Sequence, residues 1–292
     1  MGSGVGLVLG GGGAAGIAWE IGFLAALEEA GVSVRDADVV VGTSAGAIVG
    51  AQVCGGREFG AMLAEMEVTT GPAEMGEARA PATGQTDVRA LFEEVAQITD
   101  KAERGRRLGA VAIEAAPFRE DLYVAMIGGI IQVSEWPTAV RFMPVAADCE
   151  TGERKPWKAA ADLPVAAAVA SSCSVPAAVP PVTIRGRRYI DGGVWSPSNA
   201  DVLVGTGVER AVFIGPFGGP ESPAMGAAEA DLAEEVAALE TAGIPTLVLT
   251  AGAVLRDAIG EDVLNPALRP VSVRIGRKDG EAAADRLRQH LR

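Results

Sequence analysis

The chain has 292 residues, of which 49% are hydrophobic, and its 25 basic and 38 acidic residues give a formal net charge of -13. This length and hydrophobic content predict one large domain over residues 1–292 with a sizeable core. The negative charge excludes nucleic acid as a partner and gives no attraction to an anionic membrane, so any transient contact with a membrane surface would be hydrophobic and local.

The first 54 residues alternate strand and helix patterns. An apolar strand over residues 5–9 is followed by a glycine loop at 10–16 and by a helix over 17–30 with apolar residues at helical spacing. A second strand at residues 38–41 leads into another helix that ends at about Cys54. This succession is typical of a parallel sheet that binds ligands at the carboxyl ends of its strands. The chain therefore predicts an α/β fold with a mainly parallel central sheet flanked by helices.

Three further helical patterns come next, at residues 59–67, 87–99 and 118–131. Residues 69–86 are instead rich in Gly, Pro and Ala and show little periodicity. We expect residues 69–131 to form a lid or cap, and we expect the walls of an apolar cleft between residues 59 and 131.

The remaining strand patterns are short and lie at residues 140–147, 182–190, 208–214 and 245–250. Residues 182–190 predict a hairpin that turns at Gly186, because a glycine favours the tight connection. Helical patterns lie at residues 162–172 and 225–242. The charged residues 277–292 predict a frayed surface helix that carries the only histidine, His290.

Neither the cysteines nor the amino-terminal segment indicates a secreted or membrane-spanning protein. Cys54, Cys149 and Cys173 are widely spaced and form no Cys-x-x-Cys pair, so they predict neither a disulfide framework nor a zinc site. The apolar residues 5–27 lack a basic leader and include Glu20, which argues against a signal peptide. We therefore expect a cytoplasmic protein.

The glycine loop at residues 10–16 follows a strand and opens a helix. Gly11, Gly13 and Gly16 match the Gly-x-Gly-x-x-Gly spacing of a dinucleotide-binding oxidoreductase. That class also needs an acidic residue at the end of the next strand, where this chain has Gly-Thr-Ser at residues 42–44. The loop amides could instead stabilise an oxyanion, and a simple tight turn is the third interpretation.

Residues 42–46 read Gly-Thr-Ser-Ala-Gly between a β-branched run and an apolar helix. Gly-x-Ser-x-Gly at a strand-to-helix turn is typical of a nucleophile elbow, where Gly42 and Gly46 leave room for neighbouring backbone. Ser44 would then lie at a helix N-terminus, whose unpaired N–H groups favour an alkoxide. A glycine-rich turn without chemistry is the alternative interpretation of the pentapeptide alone.

A nucleophilic Ser44 needs a base, and the chain offers few. His290 lies two residues from the end in a polar tail, and the Ser-x-x-Lys register from Ser44 falls on Ala47. The lysines are few and lie elsewhere, at Lys101, Lys155, Lys158 and Lys278. The remaining candidates for the base are carboxylates.

Asp191 ends a strand-like run and is followed by Gly192 and Gly193. An Asp-Gly pair is most often a turn, which remains one interpretation. The glycines would also allow a tight fold in which a partly buried Asp191 faces Ser44. Burial would then have to raise the pKa of this carboxyl for it to act as a base near neutral pH.

Taken together, the three motifs resemble the patatin-like phospholipase family, whose pattern is a glycine-rich loop, a Gly-x-Ser-x-Gly elbow and a downstream Asp-Gly-Gly. The motif-bearing part covers about residues 5–205, and the flanks at residues 24–31 and 170–176 look like that family as well. The resemblance implies a three-layer architecture related to the α/β-hydrolases. It also implies a hydrolase of carboxylic esters, of phospholipase A, lysophospholipase or esterase type, that acts on a lipid or lipid-like acyl ester without a metal or cofactor.

Carried over by position, the resemblance implies that Ser44 is the nucleophile and Asp191 its base. The oxyanion hole would be built by the amides of Gly11, Gly12 and Gly13. The supporting glycines of the three motifs would be Gly16, Gly42, Gly46, Gly192 and Gly193.

One position departs from the family pattern, since Ala15 replaces the usual Arg or Lys. A backbone oxyanion hole does not need that charge, but its loss affects rate and head-group preference. A catalytically inactive acyl-lipid binding protein of the same fold is therefore the main alternative.

Overall fold

The computed structural model describes residues 4–67, 95, 98–115, 118–219, 228–260 and 262–292. Within these residues one sheet has the strand order β5-β6-β3-β2-β1-β7-β8, with β4 paired to β3. The strands are β1 (Val5–Leu9), β2 (Val39–Thr43), β3 (Arg141–Asp148), β4 (Arg154–Pro156), β5 (Val182–Ile184), β6 (Arg187–Asp191), β7 (Arg210–Gly215) and β8 (Thr246–Thr250).

The centre of the sheet is parallel and one edge is antiparallel. Strand β1 runs parallel to β2 and β7, β2 runs parallel to β3, and β7 runs parallel to β8. The β5–β6 hairpin and β4 pair antiparallel with their neighbours. The predicted mainly parallel sheet is confirmed, and the predicted hairpin turns at Gly186 as expected.

The described helices are α1 (Gly13–Glu29), α2 (Ala45–Cys54), α3 (Phe59–Glu67), α4 (Lys101–Ala115), α5 (Glu120–Ile131), α6 (Val165–Ser172), α7 (Ala228–Thr241), α8 (Ala253–Ile259) and α9 (Arg269–His290). Alternate strand residues face two separate cores, because successive side chains of a strand point to opposite faces. Leu7 packs with α1, α2, α5, α6 and α9, whereas Val8 packs with α7. This gives the three-layer arrangement of helices, sheet and helices.

The prediction of a frayed carboxy-terminal helix is wrong. Helix α9 spans 22 residues and packs along α1. A Cβ atom at Gly276 would lie 2.1 Å from the carbonyl oxygen of Trp19, and one at Gly280 would lie 2.4 Å from that of Phe23. These glycines let the two helices approach closely, so the helix is buried on a stripe of small residues that its charged sequence conceals.

Most of the predicted lid lies outside the described residues. This holds for residues 69–86 and for nearly all of the predicted helix at 87–99. The described part of the 69–131 region contains α4, which the sequence patterns missed, and α5. Tyr123, Ile127 and Ile131 of α5 are buried in the core on the α1 face of the sheet.

Candidate active site

Ser44 lies at the sharp turn between β2 and α2. Its backbone has φ 51° and ψ -113°, a conformation that costs a non-glycine residue on the order of 1–3 kcal/mol. Close packing holds the turn: a Cβ atom at Gly46 would lie 2.1 Å from the Leu9 carbonyl oxygen, and one at Gly42 would lie 2.5 Å from the Gly46 carbonyl oxygen. Glycine is therefore required at both positions, because neighbouring backbone approaches too closely to leave room for a side chain, as the pentapeptide predicts.

Asp191 ends β6 and reaches the same place from the other side of β3. Thr43 pairs with Val145, and the next residue of β3, Ala146, pairs with Asp191. The carboxyl group is 5% exposed and accepts a hydrogen bond from the Gly193 amide at 2.7 Å. The sheet register thus brings the end of β6 beside the residue that precedes Ser44.

The Asp191 carboxyl has an unusual ionisation. Burial raises its pKa from 3.8 to about 6, while the Gly193 amide, which hydrogen-bonds to it, and the Ser44 hydroxyl act in the opposite direction. Desolvation is the largest of these effects because it disfavours the charged form. The Ser44 hydroxyl therefore acts on the Asp191 carboxyl, and the site as a whole makes this carboxylate a stronger base than an ordinary aspartate.

The glycine loop differs from the sequence expectation at one amide. The Gly11 N–H donates to the Pro197 carbonyl at 2.8 Å and is therefore occupied. For the amides of Gly12, Gly13, Ala14 and Ala45, no acceptor occurs within the part of the chain that the structure describes. These four lie at the starts of α1 and α2, where the first N–H groups of a helix have no partner within the helix.

Ala15 lies in the first turn of α1 and is fully buried. Its amide donates to the Val263 carbonyl at 3.0 Å, and its methyl group belongs to the core on that side of the sheet. The charge that the family pattern places here is thus replaced by apolar packing.

Two serines and a tyrosine near the dyad were not singled out by the sequence. The Ser44 amide donates to Ser172 Oγ at 3.0 Å, and that hydroxyl donates to the Val145 carbonyl at 2.5 Å. Ser174 Oγ donates to the Ala170 carbonyl at 3.0 Å. Burial raises the pKa of Tyr123, and the nearby Cys173 and Asp191 raise it further. The serines within residues 170–174 were the only feature of the sequence that could have indicated this part of the site.

The other candidate bases lie elsewhere. His290 Nε2 lies 3.0 Å from the carbonyl oxygen of Ala211, near the amino end of β7, whereas Ser44 follows the carboxyl end of β2. Lys101 Nζ forms ion pairs with Asp231 and Glu234 at 3.1 Å each.

No group of three or more His, Cys, Asp or Glu side chains suited to a metal occurs in the described ranges. In the same ranges, no helix combines the length and apolar character needed to cross a membrane.

A family model described as patatin-like phospholipase matches residues 7–204. A search of curated protein sequences found no significant match. Among solved structures, the chain is similar to VipD from Legionella pneumophila, with 14% identity and a TM-score of 0.47 over 98% of this chain and 67% of that one.

The chain is also similar to the type III effector ExoU, with 17% identity and a TM-score of 0.42 over 98% of this chain and 53% of that one. A second structure, ExoU with SpcU from Pseudomonas aeruginosa, gives 16% identity and a TM-score of 0.36 over 99% of this chain and 53% of that one. The chain therefore spans about half the length of the ExoU chains.

Proposed function

Because the chain belongs to the patatin-like phospholipase family, we propose that it is a serine hydrolase that cleaves fatty-acyl esters of lipids with a Ser44–Asp191 dyad. The observation that carries the proposal is the position of a buried carboxyl beside the elbow: the pairing of β2 and β6 with β3 brings Asp191 next to Ser44, and burial raises the pKa of Asp191 to about 6. Such a base is mostly ionised at neutral pH and yet accepts a proton more readily than an ordinary aspartate.

In the acylation step, the Asp191 carboxylate takes the proton of Ser44 Oγ while Oγ attacks the ester carbonyl carbon. The negative charge that develops on the carbonyl oxygen is stabilised by loop amides, and the N–H groups of Gly12 and Gly13 have no acceptor among the described residues. Collapse of the tetrahedral intermediate breaks the ester C–O bond, and Asp191 returns its proton to the departing alcohol.

In the deacylation step, water attacks the acyl-enzyme and gives a proton to Asp191. The second tetrahedral intermediate then releases the fatty acid, and Ser44 Oγ recovers the proton. Each oxyanion-hole donor of this kind contributes on the order of 3 kcal/mol to transition-state stabilisation. The release of a fatty acid from an ester in these two steps corresponds to phospholipase A, lysophospholipase or esterase activity.

The first test is hydrolysis of p-nitrophenyl esters of increasing acyl length by the wild-type protein and by Ser44→Ala and Asp191→Asn. We expect turnover in the wild type and background rates in both variants. Ser33→Ala and Asp162→Asn are matched controls, because Ser33 accepts a bond from Arg35 away from the dyad and Asp162 is exposed. Loss of activity in the controls, or equal activity in all the proteins, would contradict the dyad.

The buried Ala15 favours one second candidate, an acyl-lipid binding protein without turnover. Labelling with a fluorophosphonate separates the two, because the reagent reacts with an activated serine. Labelling that Ser44→Ala abolishes supports the hydrolase. Binding of a fluorescent fatty acid without labelling or ester turnover supports the second candidate.

A further inference from the structure

A buried polar segment, residues 196–199, contacts both strands that end at the dyad and has no role in the mechanism above. Ser196, Ser198 and Asn199 are each at most 2% exposed, although Ser-Pro-Ser-Asn is a sequence typical of an exposed turn. Buried polar groups need hydrogen-bond partners, and these partners show what the segment holds in place.

The Asn199 side-chain amide joins the two backbones that carry the dyad. Its Nδ2 donates to Thr43 Oγ1 at 3.1 Å and to the Gly192 carbonyl at 3.3 Å. Thr43 directly precedes Ser44, and Gly192 directly follows Asp191. A single amide group therefore spans from the nucleophile elbow to the aspartate turn.

The backbone of Asn199 fits this position. It has φ 52° and ψ 34°, in the left-handed region, where asparagine is among the few non-glycine residues that are tolerated. Its N–H lies 3.3 Å from Ser196 Oγ, and the Ser196 carbonyl is a third acceptor for Nδ2, so the two hydrogens of this NH2 group are shared among three oxygens. These bonds fix the amide in one orientation.

The same segment is attached to the glycine loop and to α7. The Pro197 carbonyl accepts the Gly11 amide at 2.8 Å. On the other side, Glu235 Oε2 accepts the Ser198 hydroxyl at 2.5 Å and the Ala200 amide at 2.7 Å. The segment is therefore anchored in the core and contacts all three motifs.

We propose that Asn199 is a positioning residue for the dyad: its side-chain amide, bonded to Thr43 and Gly192, holds Ser44 and Asp191 at the separation that proton transfer requires. This inference rests on the proposed function. Misplacement of reacting groups by about 1 Å can cost on the order of 100-fold in rate, so a single buried bridge is sufficient to affect catalysis strongly.

The test compares Asn199→Gly and Asn199→Asp with the wild type in p-nitrophenyl ester hydrolysis. Glycine accepts the left-handed backbone and aspartate keeps the shape, but neither supplies the donating amide. We expect kcat to fall about 10- to 100-fold with KM nearly unchanged in both variants. Asn265→Asp is the matched control: aspartate keeps the oxygen that accepts the Ala267 amide and, as at position 199, loses a donated side-chain bond, here the one to Asp262.

The pH midpoint of kcat is a second readout that a loss of stability alone would not move. The Ser44 hydroxyl lowers the pKa of Asp191, so a loosened dyad should shift the midpoint to higher pH. The midpoint is compared between Asn199→Gly and the wild type, because the added carboxyl of Asn199→Asp would itself raise the pKa of Asp191. Carbon-13 titration of the Asp191 carboxyl gives the same shift without turnover. If Asn199→Gly does not fold, Thr43→Val removes one acceptor of the bridge and replaces it in both measurements.

Wild-type kcat and an unshifted midpoint in the folded Asn199 variants, or in Thr43→Val where these do not fold, would overturn the proposal. A higher KM and a lower stability in these variants, with kcat unchanged, would also overturn it. The outcome is distinct from a failure of the proposed function, because that failure appears as an inactive wild type or an active Ser44→Ala. The carboxyl titration decides the positioning role in either case.

Discussion

The substitution Asp191→Asn should remove activity and at the same time stabilise the protein at neutral pH. Burial in the folded state raises the pKa of this carboxyl from 3.8 to about 6, so the carboxyl ionises at a higher pH in the folded protein than in the unfolded chain. The free energy of unfolding of the wild type therefore decreases as the pH rises from about 4 to about 6. Asparagine has no proton to lose, and its oxygen can still accept the Gly193 amide.

The size of the effect follows from the two pKa values of Asp191. A shift of about two units at 1.36 kcal/mol per unit gives a penalty of about 3 kcal/mol above pH 7. The same relation gives a penalty of about 1 kcal/mol at about pH 4.5. The penalty is smaller there because this pH lies only slightly above the pKa of the carboxyl in the unfolded chain. The stability difference between variant and wild type should thus grow by about 2 kcal/mol between these conditions.

Urea unfolding of both proteins at several pH values between about 4.5 and 7.5 measures this difference. Asp162→Asn is the control with the opposite sign, because the exposed Arg185 partner lowers the pKa of Asp162. That variant should gain no stability as the pH rises. A difference between Asp191→Asn and the wild type that is constant with pH would refute the reasoning, since Asp191 would then titrate alike in the folded and unfolded chains.

Three further outcomes are expected. The kcat/KM of the wild type for a p-nitrophenyl ester should fall about tenfold between about pH 7 and about pH 5, because Asp191 must be ionised; a flat profile would contradict the assignment of the base. Gly46→Ala should lower the free energy of unfolding by at least about 2 kcal/mol in urea titrations, since its Cβ would lie 2.1 Å from a carbonyl oxygen. Glu20→Gln should stabilise the protein more at about pH 8 than at about pH 4.5, because burial raises the pKa of Glu20 by more than the Gly10 amide lowers it; equal unfolding free energies of the two proteins at high pH would count against it.

The parts of the fold that the sequence predicts well are those with local causes. Strand β1 and the turn at Gly186 follow from apolar runs and from glycine, and both are present where expected. The need for glycine at positions 42 and 46 follows from the geometry of a sharp turn. Such features depend on residues a few positions apart, so a single sequence contains the information.

The parts that the sequence does not predict depend on distant partners. The Gly11 amide is occupied by the carbonyl of Pro197, which is 186 residues away in the chain. Helix α9 is recognisable as a packed element only when Gly276 and Gly280 are seen against the backbone of α1. The bridge by Asn199 likewise joins Thr43 to a turn 149 residues later. Neither periodicity nor motif spacing reports such pairings.

The antiparallel edge of the sheet explains how the proposed dyad could be built without a histidine. Strand β2 and strand β6 run in opposite directions on the two sides of β3, so their carboxyl ends approach the same level from opposite directions. Ile190 packs on the α4 side of the sheet, and the alternation of the strand turns Asp191 to the side of α2 and α6. A shift of β6 by one residue would reverse this alternation and direct the carboxyl away from Ser44. The burial that makes Asp191 a stronger base and the direction in which it points therefore have the same origin, the register of the β5–β6 hairpin on β3.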